Sequence, residues 1–239
     1  MISFIIPAWN EERLIGRTIE ALHGAAGAAG VSYEIVVADD GSDDSTRAVA
    51  EAAGARVVIA GARQIAAARN TGARASNGSI FVFVDADTIV PVEVVRAAVS
   101  VVREGAVGGG AIVRFDGKIP FYARVLTPAF GRVFMASRLA AGCFLFCTRE
   151  AFHAAGGFDE QLYVSEEISM SQALKRQGRF VVLRQTVVTS GRKLRAYSGW
   201  EILGLLGRFA LRGTKTLKDR EALDFWYASR RDDPGSSSS

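Results

Sequence analysis

The chain has 239 residues, 49% of them hydrophobic and 23% charged, with a formal net charge of +4. That length and apolar content support one sizeable α/β core and exclude global disorder. The mild positive charge suits an anionic substrate or membrane surface but is too weak and dispersed to argue for nucleic acid.

The first expected strand, residues 2–6, starts so early that it leaves no room for a signal peptide. Residues 33–38, 56–59 and 80–84 read as further strands, and 11–26, 45–53, 64–75 and 91–103 as helices. This alternation predicts right-handed βαβ units: an α/β fold with a mostly parallel sheet and helices on both faces. Beyond Gly105 the pattern loosens. Gly108-Gly109-Gly110 reads as flexible punctuation before a strand at 111–115. Residues 119–138 mix apolar and basic side chains, as in an amphipathic helix or a long loop.

Residues 143–147 form the next expected strand, followed by a helix at 149–155, a turn at 156–160 and a helix at 166–177. Short strands at 180–183 and 187–189 complete the pattern. Cys143 and Cys147 are expected on one strand face, too far apart to bridge, as reduced core residues of a cytosolic protein. With His23 and His153 they make no zinc pattern. No run approaches the roughly 20 apolar residues of a membrane span. One domain is expected over 1–231, with a nucleotide-type half at 1–105, a less regular half at 106–195 and a helical segment at 196–231. Residues 232–239 read as a disordered tail.

The most informative feature is Asp85-Ala86-Asp87 at the end of the apolar run 80–84. A strand ending in acids at its carboxyl edge puts them in the crevice where open α/β sheets bind ligands. Two carboxylates at i and i+2 can converge on one divalent cation, which can clamp a diphosphate. A solvated turn, with Asp87 capping the helix near Pro91, is the alternative. Pro7-Ala8-Trp9-Asn10-Glu11 and Asp39-Asp40-Gly41-Ser42-Asp43-Asp44 follow the first two strands. Taken singly, these are also a helix start and a strand-to-helix turn. Ala68-Arg69-Asn70 lies on the helix before the fourth strand, where Arg69 reads equally as a solvated position. Parallel strand ends share one sheet edge, so these groups are expected in one cleft.

The ordered set resembles the family 2 glycosyltransferases with the GT-A fold. The resemblance runs from Ile2 to about Leu183, through the P-x-x-N-E opening, the D-D-G-S-x-D-x-T loop, A-R-N and D-A-D. It continues with Gly142, Arg149-Glu150-Ala151-Phe152, Gly156-Gly157-Phe158-Asp159-Glu160, and an acidic pair before a helix ending Lys175-Arg176-Gln177-Gly178. It implies a metal-dependent, inverting transfer of sugar from a nucleotide-diphosphate sugar to an acceptor hydroxyl of a glycan, glycolipid or similar glycoconjugate. Residues 1–105 would then bind the donor and 106–195 the acceptor.

By the same resemblance, Pro7, Ala8, Asn10 and Glu11 would line the nucleobase pocket with Asp40, which would accept a hydrogen bond from the base. Arg69 would help hold the nucleotide. Asp85 and Ala86 would lie near the ribose and donor sugar, and Asp87 would coordinate Mg²⁺ or Mn²⁺. A UDP-sugar is the default donor; GDP- and dTDP-sugars stay open. The family's catalytic base lies in an acidic pair, usually Glu-Asp, that opens the helix after G-F-D-E. Glu167 matches that position, with Glu166 as the alternative. Here the chain departs from the pattern, because Glu is one methylene longer, a change in reach of about 1.5 Å. A plain helix-start role for both acids is the alternative.

Related enzymes carry basic or histidine groups near the diphosphate after the last strand. Here Thr189 offers no third metal ligand, and Arg192 and Lys193 read either as phosphate contacts or as a solvated loop. Residues 197–212 space Trp200, Leu203, Leu206 and Phe209 like a helix lying on a membrane interface or against the domain. A nucleotide-sugar-binding protein without transferase activity is the rival function. A sugar nucleotidyltransferase would show a glycine-rich basic loop after the first strand, which residues 7–13 lack.

Overall fold

A computed structural model describes residues 1–120, 122–124, 127, 135–162 and 165–196. The expected helix at 197–212, the segment 196–231 beyond its first residue and the tail lie outside them, as does part of 119–138. In chain order the elements are β1 (Ile2–Ala8), α1 (Ile15–Ala29), β2 (Tyr33–Asp39), α2 (Thr46–Ala52), β3 (Arg56–Ile59), α3 (Ile65–Ala75), β4 (Ile80–Val84) and β5 (Thr88–Ile89). They continue with α4 (Val92–Arg103), β6 (Ala106–Phe115), β7 (Phe144–Thr148), α5 (Arg149–Ala155), α6 (Glu166–Gln177), β8 (Arg179–Thr189) and α7 (Arg192–Ala196).

The eight strands among the described residues join one sheet in the order β3-β2-β1-β4-β7-β6-β8-β5. The pairs β1–β2, β1–β4, β2–β3 and β6–β8 are parallel, whereas β4–β7, β6–β7 and β5–β8 are antiparallel. The mixed α/β, mostly parallel plan is therefore observed. Its helices cover both faces, because alternate residues of each strand enter different cores. Phe4, Ile6 and Val82 pack with Ile15, Ile19 and Val94, on the side of α1 and α4. Ile5, Phe81 and Phe83 pack with Ala73, Phe152 and Met170, on the side of α3, α5 and α6. No helix among the described residues is long and apolar enough to cross a membrane.

Several local expectations change. Gly108-Gly109-Gly110 lies inside β6 rather than punctuating the chain. A Cβ on Gly109 would stand 1.9 Å from the Val181 carbonyl oxygen and 2.6 Å from the Phe146 ring, so the glycines permit close backbone approach. The two short strands at 180–189 are one strand, β8, whose polar middle passes a register shift opposite Ala111/Ile112. Cys143 sits in the turn before β7 and enters the α1 side, while Cys147 faces the α6 side. They therefore do not share a face. Both are buried free thiols.

The first helix begins at Ile15, not at residue 11, because residues 10–12 are spent on holding the next loop. Asn10 adopts a left-handed conformation with φ of 52°. Its backbone N–H donates to Ser42 Oγ (3.0 Å) and its Oδ1 accepts from Asp43 N–H (3.1 Å). Glu11 N–H donates to Thr46 Oγ1 at 2.7 Å, and Ser45 N–H to Glu12 Oε2 at 3.0 Å. The P-x-x-N-E and D-D-G-S-x-D-x-T segments thus form one interlocked unit beyond β1 and β2.

Candidate active site

Because β1, β2 and β4 are parallel neighbours, their carboxyl ends share one edge of the sheet. Pro7 and Ala8 end β1 there, both buried, and Ala8 O accepts from Asp40 N–H at 2.8 Å. Asp39 and Asp40 diverge from that point. Asp39, fully buried, closes the turn by accepting from Gly41 and Ser42 N–H and from Arg47 Nε. Asp40 instead faces the loop before α3, where Arg63 N–H donates to its Oδ1 at 2.7 Å. Burial raises the Asp40 pKa although backbone amides of residues 62–64 oppose it. Beside it the Arg63 guanidinium lies 4.0 Å from the centre of the Trp9 ring. In the sequence the sole signal of that stacked pair is a lone aromatic in the P-x-x-N-E loop.

Asp85 and Asp87 follow β4 on the same edge, and Thr18 Oγ1 of α1 donates to the intervening Ala86 carbonyl at 2.9 Å. Asp87 does not cap α4, whose N-cap is Pro91. Its Oδ1 accepts from Thr189 Oγ1 at 3.1 Å, and Thr189 accepts in turn from Thr88 at 2.9 Å. Its Oδ2 lies 3.1 Å from Arg192 Nη2. Arg192 also forks onto Glu11, with contacts of 2.8 and 2.5 Å. It is therefore a largely covered cation between two acids, not a solvated loop residue. Of the Lys193 side chain nothing is described.

Arg69 is 2% exposed, so it is not a solvated helix position. Its Nη1 donates to Glu166 Oε1 at 2.6 Å, and its Nη2 to Asp85 Oδ1 at 3.0 Å and to the Gly142 carbonyl at 2.7 Å. Its Nε has no hydrogen-bond partner among the described residues. Burial alone would lower its pKa, but Glu166, Asp85 and Glu167 outweigh that and raise it. The guanidinium thus stands behind Asp85 and orients that carboxylate.

The next residue, Asn70, fastens the G-G-F-D-E turn to α3. Its side chain donates to Phe158 O (2.9 Å) and Glu160 Oε1 (2.8 Å), and accepts from Phe158 N–H (2.9 Å). Phe158 then meets Phe83 of β4 edge-to-face at 4.9 Å between centroids, a contact worth about 0.5–1.5 kcal/mol beyond area burial. This seats the turn before α6 against β4, the strand that Asp85 follows.

The acidic pair at the start of α6 divides. Glu166 is buried against Arg69, whereas Glu167 keeps part of its surface in solvent beside Gly142, where a Cβ would come within 3.3 Å of its carboxyl. Burial and then the Glu166 charge push the Glu167 pKa from 4.5 up to about 8, against the pull of Arg69. Behind Asp85, the Cys143 thiol is held well above its ordinary range by burial, then by Asp85 and Asp87.

The oxygen-only donors at the D-A-D end have the chemistry of a hard divalent cation site. Asp87 already attracts a cation, Arg192, so the residues fit such an ion. No group of three or more His, Cys, Asp or Glu among the described residues could hold it alone. That suits a cation carried by one or two carboxylates plus substrate phosphates and water. Farther along the β8 end, a cavity of about 600 Å³ is lined by Gly117, Lys118, Ile119, Arg124 and Thr127.

Comparison with known proteins gives a consistent result. The model of Glycosyl transferase family 2 matches residues 3–156. A dolichol-phosphate mannosyltransferase of Pyrococcus furiosus is 30% identical over 139 residues, 53% of this chain and 38% of that protein. Glucosyl-3-phosphoglycerate synthase of Mycolicibacterium smegmatis is 36% identical over 98 residues, 38% of this chain and 32% of that protein. The chain spans less than two fifths of the length of the curated relatives it matches. In structure, it resembles glucosyl-3-phosphoglycerate synthase from Mycobacterium tuberculosis, solved with Mn²⁺, UDP and glucosyl-3-phosphoglycerate. The TM-score is 0.60 at 23% identity, covering 91% of this chain and 80% of that one, which is a likeness of fold.

Proposed function

The chain belongs to glycosyl transferase family 2, and from that premise we propose that it is a metal-dependent, inverting glycosyltransferase using a nucleotide-diphosphate sugar. The observation that carries the reading is the shared carboxyl edge of β1, β2 and β4, which gathers Ala8, Asp40, Asp85 and Asp87. In this reading Pro7, Ala8, Asn10 and Asp40 surround the nucleobase, together with the Trp9–Arg63 stack, while Glu11, expected with them, is held on both carboxylate oxygens by Arg192. Asp85 and Ala86 lie by the ribose and sugar. Arg69 acts on the donor through Asp85, whose carboxylate it orients.

Mg²⁺ or Mn²⁺ held by Asp87 would neutralise charge on the leaving diphosphate. Glu167 is the base: it accepts the acceptor hydroxyl proton as that oxygen bonds to the anomeric carbon and the bond to the nucleoside diphosphate breaks. The division of the acidic pair supports this choice, because Glu166 is committed to Arg69 while Glu167 is half-buried and its pKa is raised towards neutral pH. Lys118 and Arg124 in the neighbouring cavity favour an acceptor with an anionic group, including a lipid-linked phosphate. Peripheral contact with the cytoplasmic face of a membrane belongs to the same reading.

The test is binding of UDP, GDP and dTDP by calorimetry, each with Mn²⁺, Mg²⁺ or chelator. Selective, metal-dependent binding of one nucleotide, lost in Asp87→Ala, supports the donor site and names the sugars to try. Absence of binding under every condition overturns it. Anomeric configuration of the product, read by NMR, tests inversion. Donor binding without transfer to any acceptor would favour the rival, a nucleotide-sugar-binding protein.

A further inference from the structure

Arg192 joins two carboxylates that lie far from it in sequence and on different loops. It reaches Glu11 across 181 residues through both terminal nitrogens, and the same Nη2 touches Asp87 Oδ2 at 3.1 Å. The three side chains are 19%, 9% and 13% exposed, so water does little to compensate their charges. With Thr189 on Oδ1, both oxygens of Asp87 have protein partners. Glu11 holds the guanidinium by two hydrogen bonds that do not involve Asp87, a fork that makes Glu11 its main anchor. The arginine can release Asp87 and stay tethered.

We propose that Arg192 is a built-in counter-cation for Asp87, holding this carboxylate in the donor-free protein and competing with the divalent cation for it. The inference rests on the donor-site reading above. A carboxylate already neutralised by a guanidinium attracts a second cation less strongly. Apparent metal affinity is therefore reduced by the fraction of molecules in which Arg192 is seated. Removing Arg192 leaves Glu11 and Asp87 as a poorly hydrated pair of like charges, which a divalent cation relieves.

The experiment measures Mn²⁺ binding to the full chain without nucleotide, by electron paramagnetic resonance of free Mn²⁺, alongside the Mn²⁺-induced change in melting temperature. Arg192→Gln is expected to bind Mn²⁺ about tenfold more tightly than the unaltered protein, and to gain more in melting temperature from it. Arg192→Met should behave alike, which shows that the glutamine carbonyl is not itself the ligand and supplies a second variant should the first not fold. Asp87→Asn added to either should abolish the gain. Equal or weaker Mn²⁺ binding by both Arg192 variants overturns the proposal, while Mn²⁺-dependent UDP binding by the unaltered protein would leave the donor site standing. Failure of every protein to bind Mn²⁺, with UDP or without, overturns both.

Discussion

Arg69 and Glu166, 97 residues apart, form a 2.6 Å ion pair in which both side chains are almost wholly buried. The pair ties α3 to the start of α6, and the other end of the same guanidinium holds Asp85 and the Gly142 carbonyl. One cation therefore sets the spacing between the end of β4 and the acidic pair.

Arg69→Met should destabilise the protein by about 3–5 kcal/mol, because it strands the buried Glu166 carboxylate beside Asp85. The double variant Arg69→Met/Glu166→Gln should recover part of that loss, since no buried charge is then left facing the gap. Denaturant unfolding at neutral pH measures both. A single variant as stable as the unaltered protein would contradict the role assigned to the pair.

Glu167→Gln should lower transfer by about 10²–10⁴-fold while nucleotide binding persists. With a free-protein pKa of about 8, the unaltered protein should show kcat/KM rising with pH towards that value, as the carboxyl loses its proton. The rise should vanish in the variant. Rates of nucleoside diphosphate release from pH 6 to pH 9 test this.

The same carboxyl makes a stability prediction of definite sign. Its folded pKa lies above its ordinary value of 4.5, so between 4.5 and about 8 the folded state binds more protons than the unfolded one. Stability must then fall as pH rises through that window, and the loss is complete above the folded pKa. Asp40, also raised by burial, adds to the fall in the same direction. Glu167→Gln should flatten the slope, as seen in unfolding free energies measured at pH 5, 7 and 9.

Two glycines should respond differently to alanine. At Gly142 the new methyl would meet the flexible end of Glu167 at 3.3 Å, so the carboxyl can give way. Gly142→Ala should cost less than about 1.5 kcal/mol in stability, yet reduce transfer more than nucleotide binding. At Gly109 the obstacle is backbone, the Val181 carbonyl oxygen at 1.9 Å. Gly109→Ala should therefore cost more than about 3 kcal/mol or leave the protein insoluble, as soluble yield and thermal melts would show.

Apart from β5 and the start of α1, the strands and helices up to Arg103 are legible in the sequence because β1, β2 and β4 are largely buried and read as mainly apolar runs. Their edge is legible too, since polar residues begin where each run ends. Past Gly105 the local signals mislead. A glycine triplet looks like a break when it is a place where backbones nearly touch, and the polar middle of β8 looks like an end when it is a register shift. The two-residue β5 is too short to carry any period. Least legible are the ion pairs of Arg69 and Arg192, which span 97 and 181 residues, because local spacing encodes nothing at that range.

The sheet order has a consequence for redesign. β7, from the second half of the chain, is zipped antiparallel between β4 and β6. A cut near residue 105 would strip β4 of its neighbour and lay bare a row of backbone donors and acceptors beside Phe81 and Phe83. The two halves are thus not interchangeable cassettes. Anyone wishing to retarget this scaffold would graft the loops beyond the strand ends and leave the seam between β4 and β7 unbroken.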